Sequence, residues 1–158
     1  MAYEKDEKLH IVAVNAAIRR SDGKYLVLQR SENEKAMPGM WAFPGGKTEG
    51  DQSIDVALSA EVVEETGLQL KSAKILIADT SFVRPDGQTV KVLVFLCEVQ
   101  DETQPVVLEA GSFTDYRWIV ADELAELDHV GLADEIAKAE EIIATGVDLS
   151  ILGVASKA

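Results

Sequence analysis

The chain has 158 residues, of which 47% are hydrophobic and 27% are charged, and its formal net charge is −13. This composition is ordinary for a globular protein, and the length fits one domain that can bury a core. The negative charge argues against a nucleic-acid polymer or an anionic membrane as a partner, because both attract basic surfaces. We therefore expect one domain over residues 1–158, with peripheral tails at residues 1–8 and 147–158.

Cys97 is the only cysteine, so the chain cannot form an internal disulfide, as is typical of proteins in a reducing cytosol. Because it lies in an apolar run, we interpret it as a small core residue rather than a nucleophile. No apolar run approaches the length of a membrane span, and the N-terminus has no signal-peptide core. These features favour a cytoplasmic location.

Two segments near the N-terminus are predicted to form a β-hairpin. Residues 10–18 are apolar and rich in β-branched side chains, which is typical of a buried strand. Residues 21–24 read Ser-Asp-Gly-Lys, a sequence that favours a turn, and residues 25–29 continue as a second strand.

A glycine turn and a helix follow. Gly45 and Gly46 allow a sharp bend and a close approach to a ligand, because neither residue has a Cβ. Ser53 suits the N-cap of a helix and Gly67 suits the residue after its end, so we predict a helix over about residues 53–66.

The predicted helix carries three acids on one face. Glu61, Glu64 and Glu65 are spaced i, i+3 and i+4, and residues 53–70 contain no Lys or Arg. Mg²⁺ suits such a cluster, since hard divalent cations prefer oxygen ligands. Taken alone, however, an E-x-x-E-E pattern is more often a solvated acidic surface.

The rest of the chain adds strands and two further helices, without a linker that would indicate a second domain. Turn residues at 84–87 separate the third and fourth strands. This order fits an α/β domain with a mixed sheet between helices. The predicted strands are residues 73–78, 89–99 and 116–120, and the predicted helices are residues 121–127 and 134–145.

The stretch from Phe43 to Leu68 resembles the signature of the Nudix (MutT-like) hydrolases, G-x5-E-x7-R-E-U-x-E-E-x-G-U, where U is bulky and apolar. The flanking residues 37–47 and Glu49 are similar to family members too. Gln52 and Ala60 depart from the signature, which has Glu and Arg there. When the alignment starts at Gly46, the matching residues are Glu61, Val62, Glu64, Glu65, Gly67 and Leu68.

The resemblance implies a Nudix-type α/β/α sandwich with a mixed β-sheet. It also implies Mg²⁺-dependent hydrolysis, with Mn²⁺ as the alternative ion, of a nucleoside diphosphate linked to another moiety X. A small-molecule nucleotide of the nucleoside triphosphate type is the favoured substrate. The family roles fall on Glu61, Glu64 and Glu65 as catalytic residues and metal ligands, and on the carbonyl oxygen of Gly45 as a further ligand.

Arg30 and Lys47 are candidates for contacts with substrate phosphates, judged from their charge and their proximity to the glycine turn. An ordinary solvated surface explains each of them equally well. If the signature Glu and Arg interact in relatives, the loss of both at Gln52 and Ala60 leaves neither charge unpaired.

Two questions stay open at the level of sequence. Many Nudix enzymes carry a Glu, acting as a metal ligand or base, in the loop before a Tyr-x-Trp-like strand. Here Ser112 takes that place, and Glu109 and Asp115 lie three residues to either side of it. The second question is the function class, because a Nudix-fold nucleotide-binding or regulatory domain with weak or no catalysis is the alternative. A homodimer is compatible with the sequence, which does not identify X.

Overall fold

Seven strands and two α-helices occur in residues 9–153, the part of the chain that the computed structural model describes. Of the two predicted tails, residues 1–8 and 154–158 lie outside the described residues. Short 3₁₀ helices occur at Ala121–Glu126 and Leu149–Ile151. The elements are β1 (Ile11–Ile18), β2 (Tyr25–Arg30), β3 (Trp41–Ala42), β4 (Gly45–Lys47), α1 (Ile54–Thr66), β5 (Leu70–Val83), β6 (Thr89–Val99), β7 (Phe113–Ile119) and α2 (Leu132–Ala144).

The strands form two sheets. The four-stranded sheet has the order β4-β1-β6-β5 and is mixed, because β1 runs parallel to β6 whereas the β1–β4 and β5–β6 pairs are antiparallel. The three-stranded sheet has the order β3-β2-β7 and is antiparallel throughout. The mixed sheet agrees with the prediction, whereas the second sheet and the short strands β3 and β4 were not predicted.

The predicted turn between the first two strands is confirmed, but the prediction that these strands pair as a hairpin is wrong. The backbone N–H of Arg20 donates to the carbonyl oxygen of Lys24 over 2.8 Å, and Arg19 forms a single bridge with Tyr25. Beyond this bridge β1 enters the mixed sheet and β2 enters the antiparallel sheet. Turn residues indicate that the chain reverses, but the parallel partner of β1 lies far along the chain, beyond the reach of a local pattern.

Two apolar cores lie on opposite sides of the sheets. Alternation along β1 directs Val14, Ala16 and Ile18 into the core beneath α1, and Ala17 into the core beneath α2. Strand β2 divides in the same way, with Leu26 and Leu28 on the α1 side. The helices therefore cover opposite sides of the sheets, in the predicted α/β/α arrangement.

The two long helices begin and end close to the predicted residues. The Ser53 hydroxyl accepts a hydrogen bond from the N–H of Val56 at the start of α1, and Gly67 ends the helix with a φ of 73°. At the start of α2, Nδ1 of His129 accepts from the N–H of Leu132. No helix within residues 9–153 combines the length and the apolar character needed to cross a membrane.

Cys97 is fully buried in the core beneath α1, as expected for a core residue. Burial raises the pKa of its thiol to about 12, which keeps the thiol protonated and unreactive near neutral pH. Part of the predicted C-terminal tail also contributes to packing, because Leu149 is buried in the core beneath α2.

Candidate active site

Two adjacent glycines allow β4 to lie tightly between β1 and α1. A Cβ on Gly45 would lie 2.2 Å from Oδ1 of Asn15 and 2.3 Å from the carbonyl oxygen of Val14. A Cβ on Gly46 would lie 2.5 Å from Cδ of Glu61. Larger residues would therefore separate β4 from β1 at the first position and displace the Glu61 carboxylate at the second.

Glu65 occupies a core-facing position on α1. It is only 6% exposed and follows Leu58 and Val62 on the buried side of the helix. Its Oε2 accepts a hydrogen bond of 3.1 Å from the N–H of Gly45. The pKa of this carboxyl is raised to about 8, mainly by burial and also by the negative charges of Glu61 and Glu109, while the hydrogen bond from the Gly45 N–H opposes the rise.

The other two helix acids are more accessible. Glu61 is half-buried, and its pKa is raised by burial first and then by the neighbouring charges of Glu64, Glu109 and Glu49. Glu64 is exposed. The three acids share a helical face, as predicted, but their accessibility increases from Glu65 through Glu61 to Glu64.

The structure brings Glu109, but not Asp115, to the helix acids. The loop that follows β6 runs along the end of α1, where the N–H of Glu109 donates to the carbonyl oxygen of Glu65 over 3.2 Å. The Glu109 charge acts on both Glu61 and Glu65. Asp115 instead lies exposed on β7, with its Oδ1 accepting from the N–H of Tyr116.

Arg30 lies at the end of β2, on the side that faces α1. Alternation places it on the same side as Leu28, and its positive charge lowers the pKa of Glu65. Its Nε donates to the carbonyl oxygen of Ala36 over 2.8 Å, and Glu34 forms a 3.5 Å ion pair with Nη2. The guanidinium therefore lies close to the acids, where it can meet an anionic ligand.

Lys47 is placed differently. It is exposed and pairs with Ala13 at the edge of the mixed sheet. Because Gly46 faces Glu61 and side chains alternate along a strand, Lys47 points to the opposite side of β4. The structure therefore does not bring Lys47 and the helix acids together.

The two departures from the signature lie beside the site. Gln52 closes a turn with Glu49: its Oε1 accepts from the N–H of Glu49, and its own N–H donates to the Glu49 carbonyl oxygen, each over 3.1 Å. Gln52 thus shapes the loop that brings Glu49 near Glu61. Ala60 is half-buried and leaves Glu64 without a basic neighbour on the helix.

A buried lysine anchors the helix, and the sequence analysis missed it. Nζ of Lys74, a side chain that is only 4% exposed, lies 2.6 Å from Oδ1 of Asp55 in the first turn of α1. The same Nζ donates to the carbonyl oxygens of Lys71 and Ser72, which lie in an irregularity of β5. The available signal was a lone lysine inside an otherwise apolar predicted strand.

The carboxylate oxygens are suitable ligands for a divalent metal ion, but the side chains do not adopt a coordinating arrangement. Within residues 9–153, no three Asp, Glu, His or Cys side chains stand close enough together to hold an ion. The carboxylates nevertheless repel one another, since Glu64 and Glu109 raise the pKa of Glu61, and a hard divalent cation would relieve that repulsion. Binding therefore requires side-chain rotation, above all of the accessible Glu61 and Glu64.

Comparison with known proteins identifies the family. The family model described as the NUDIX domain matches residues 9–139. The chain belongs to the Nudix family. This match covers the glycine turn, α1 and the loop that carries Glu109, so all the groups described above lie inside the Nudix domain.

Individual relatives agree with this result. The MutT-like protein of Streptomyces ambofaciens is 29% identical over 118 residues, which are 75% of this chain and 69% of that protein. Nucleoside triphosphatase NudI of Salmonella agona (strain SL483) is 32% identical over 118 residues, 69% of this chain and 82% of its own. The crystal structure of the MutT protein from Methanosarcina mazei Go1 has a TM-score of 0.66 and 25% identity, covering 91% of this chain and all of that one. The predicted family, fold class and Nudix hydrolase class are confirmed.

Proposed function

We propose that the protein uses a divalent metal ion to hydrolyse a pyrophosphate bond in a nucleoside diphosphate linked to a moiety X. The observation that carries this proposal is the position of two helix acids against the glycine turn: the Glu61 carboxylate lies beside Gly46, and Glu65 accepts a hydrogen bond from the N–H of Gly45. The charges of Glu109 and Arg30 act on the same acids. A nucleoside triphosphate is the favoured substrate class, supported by the NudI relative that is named for this activity.

Each group has a role in this mechanism. Glu61, Glu64, Glu65 and the Gly45 carbonyl oxygen would hold the metal, for which Mg²⁺ is proposed and Mn²⁺ is the alternative. When bound, the ion supplies positive charge at the pyrophosphate oxygens and activates water.

Other groups of the protein bind the substrate, orient a metal ligand and accept a proton. Arg30 binds a phosphate of the substrate and offsets the repulsion that a chain of net charge −13 exerts on an anion. The N–H of Gly45 fixes the orientation of the Glu65 carboxylate. Glu109 accepts a proton from the attacking water, because its carboxylate adjoins the helix acids without belonging to α1. Lys47 lies on the other side of β4, so any contact that it makes is with a part of the substrate distant from the acids.

Two observations support an alternative function class. The signature departs at Gln52 and Ala60, and no three carboxylates within residues 9–153 stand ready for a metal ion. A domain that binds nucleotides and hydrolyses them weakly or not at all would share both features. We favour the enzyme because all three helix acids are retained.

We further propose a cytoplasmic location and a single-domain organisation. A cytoplasmic location is supported by the single, buried cysteine, which needs no oxidising compartment. A single domain over residues 1–158 is supported by the absence of a linker from the sequence. A homodimer remains compatible with both function classes.

The test is phosphate release from nucleoside triphosphates, dinucleoside polyphosphates and nucleotide sugars, with and without Mg²⁺. Glu65→Gln should lower kcat by about 10²-fold or more, because charge stabilisation in the transition state is lost. Glu141→Gln is the matched control, since Glu141 is an exposed carboxylate on α2. An active Glu65→Gln would refute the assignment, and a wild type that binds nucleotides without hydrolysing them would establish the second class.

A further inference from the structure

Ser112 connects the two sides of the candidate site. Its Oγ donates a 2.9 Å hydrogen bond to Oε1 of Glu109, three residues earlier. Its carbonyl oxygen accepts a 2.9 Å hydrogen bond from the N–H of Ser31, the residue directly after Arg30. One residue thus contacts both the loop acid and the strand end that carries the arginine.

The backbone around Glu109 is held without the Ser112 hydroxyl. The N–H of Val107 donates to the Thr66 carbonyl oxygen over 2.9 Å, and the N–H of Glu109 donates to that of Glu65 over 3.2 Å. At the other end, the Ser31–Ser112 backbone hydrogen bond fixes the loop to β2. The loop is therefore fixed at both ends by main-chain groups, which leaves the hydroxyl free to act on the Glu109 side chain.

The Glu109 side chain requires a hydrogen-bond donor to hold its orientation. The main chain of Glu109 is bound to that of Glu65, and its carboxylate lies near enough to Glu61 and Glu65 for its charge to raise the pKa of both. Repulsion between these like charges favours rotamers that turn the Glu109 carboxylate away into solvent. A hydroxyl that donates to a carboxylate makes a charge-assisted hydrogen bond, which is stronger than a neutral one. Since the hydroxyl binds Oε1, Oε2 is left available to another donor.

We propose that Ser112 is a positioning residue that orients the Glu109 carboxylate toward the acids of α1. This inference rests on the proposed function, in which Glu109 accepts a proton from the attacking water. Ser112 does not touch the reacting atoms. It acts by holding one oxygen of Glu109 and directing the other.

The experiment is a double-mutant cycle on phosphate release by the full chain with saturating Mg²⁺. Ser112→Ala should lower kcat by about tenfold, the order of effect expected when a catalytic group loses its orientation, while KM changes little. Ser112→Thr should retain most of the activity, because it keeps the hydroxyl. In the Glu109→Gln background, Ser112→Ala should have no further effect, since the carboxylate that it orients is gone.

Ser21→Ala is the matched control. The Ser21 hydroxyl also donates to a carboxylate, Oε2 of Glu102, over 2.7 Å, but it lies at the opposite end of β2 from Arg30. It should leave kcat unchanged. The melting temperatures of the Ser112 variants should stay within about 2 °C of wild type, because main-chain bonds hold the loop.

The outcomes separate the inference from the proposed function. If Glu65→Gln abolishes hydrolysis while Ser112→Ala is fully active, the positioning role is refuted and the proposed function stands. Equal losses from Ser112→Ala in the wild-type and Glu109→Gln backgrounds would also refute it, because Ser112 would then act independently of Glu109. If Glu65→Gln hydrolyses as well as wild type, both are overturned.

Discussion

Helices α1 and α2 have 13 residues each and cover opposite sides of the sheets, yet they use their side chains differently. α2 follows the usual pattern, with Ile136 and Ala139 fully buried. α1 buries Glu65 and exposes Val56 and Val63, which are 53% and 46% exposed. A core-facing position on α1, beside the fully buried Leu58 and Val62, is thus occupied by a carboxylate. α1 therefore packs on the sheets and also carries the candidate acids, whereas α2 contributes packing.

Contacts at its two ends stabilise α1 in addition to the packing of Leu58 and Val62. Ser53 caps the start, Gly67 ends the helix, and the Lys74–Asp55 ion pair ties its first turn to β5. These contacts hold the backbone of α1 firmly while the central acids remain available to a ligand.

The largest expected effect is on stability, and it tests the packing role of α2. Ile136→Ala should lower the free energy of unfolding by about 2–5 kcal/mol, because it removes a fully buried side chain and leaves a cavity. Val63→Ala on α1 should change it by no more than about 0.5 kcal/mol, since Val63 is exposed. Urea unfolding measures both values, and equal costs would contradict the comparison.

A smaller effect, on the order of 1–3 kcal/mol, should appear in the pH dependence of stability without divalent metal. The pKa of Glu65 is about 8 in the folded protein, against an ordinary value of 4.5 for a glutamate, so the folded state holds its proton more tightly. Between these two values the unfolded state binds fewer protons, and stability falls as pH rises from about 4.5 to about 8.

In Glu65→Gln the free energy of unfolding should fall less steeply with rising pH. Urea unfolding at pH 5–9 with a chelator present measures this slope. Glu140 on α2 gives the opposite sign, because hydrogen bonds from Arg19 and Tyr25 overcome burial and lower the pKa of its carboxyl. Its contribution is present above its unfolded pKa and is lost as pH falls through the lowered value. If the slope is the same in Glu65→Gln as in wild type, the buried carboxylate is not its source.

The smallest stability effect is expected from restoring the family residues at the two departures. Ala60→Arg places a guanidinium four residues before Glu64, and an exposed pair at this spacing is worth about 0.3–0.5 kcal/mol. Activity should respond more, because orienting a ligand matters more to rate than to stability. We expect Gln52→Glu with Ala60→Arg to raise kcat/KM above the product of the single changes. If the effects multiply without coupling, the two positions are independent.

Sequence patterns identified the parts of the site whose structure is local. The bounds of α1 follow from Ser53 and Gly67, which act through hydrogen bonds within a few residues. The choice between Glu109 and Asp115 was not available from sequence, because it depends on carbonyl groups at the end of α1 that hold the loop. The Lys74–Asp55 pair was missed for the same reason, since it joins residues on different elements.

The parallel pairing of β1 with β6 has a consequence for how the protein folds. Ile11 pairs with Val90 and Ile18 with Cys97, so each partner of β1 follows it by roughly 80 positions, and such non-local contacts slow folding. During synthesis the apolar strand β1 cannot pair with β6 until β6 has left the ribosome, whereas α1 lies earlier in the chain and emerges first. Until then one edge of β1 lacks its partner and is exposed to aggregation, whereas the pairing of β1 with β4 can form earlier, because both strands precede β6 in the chain.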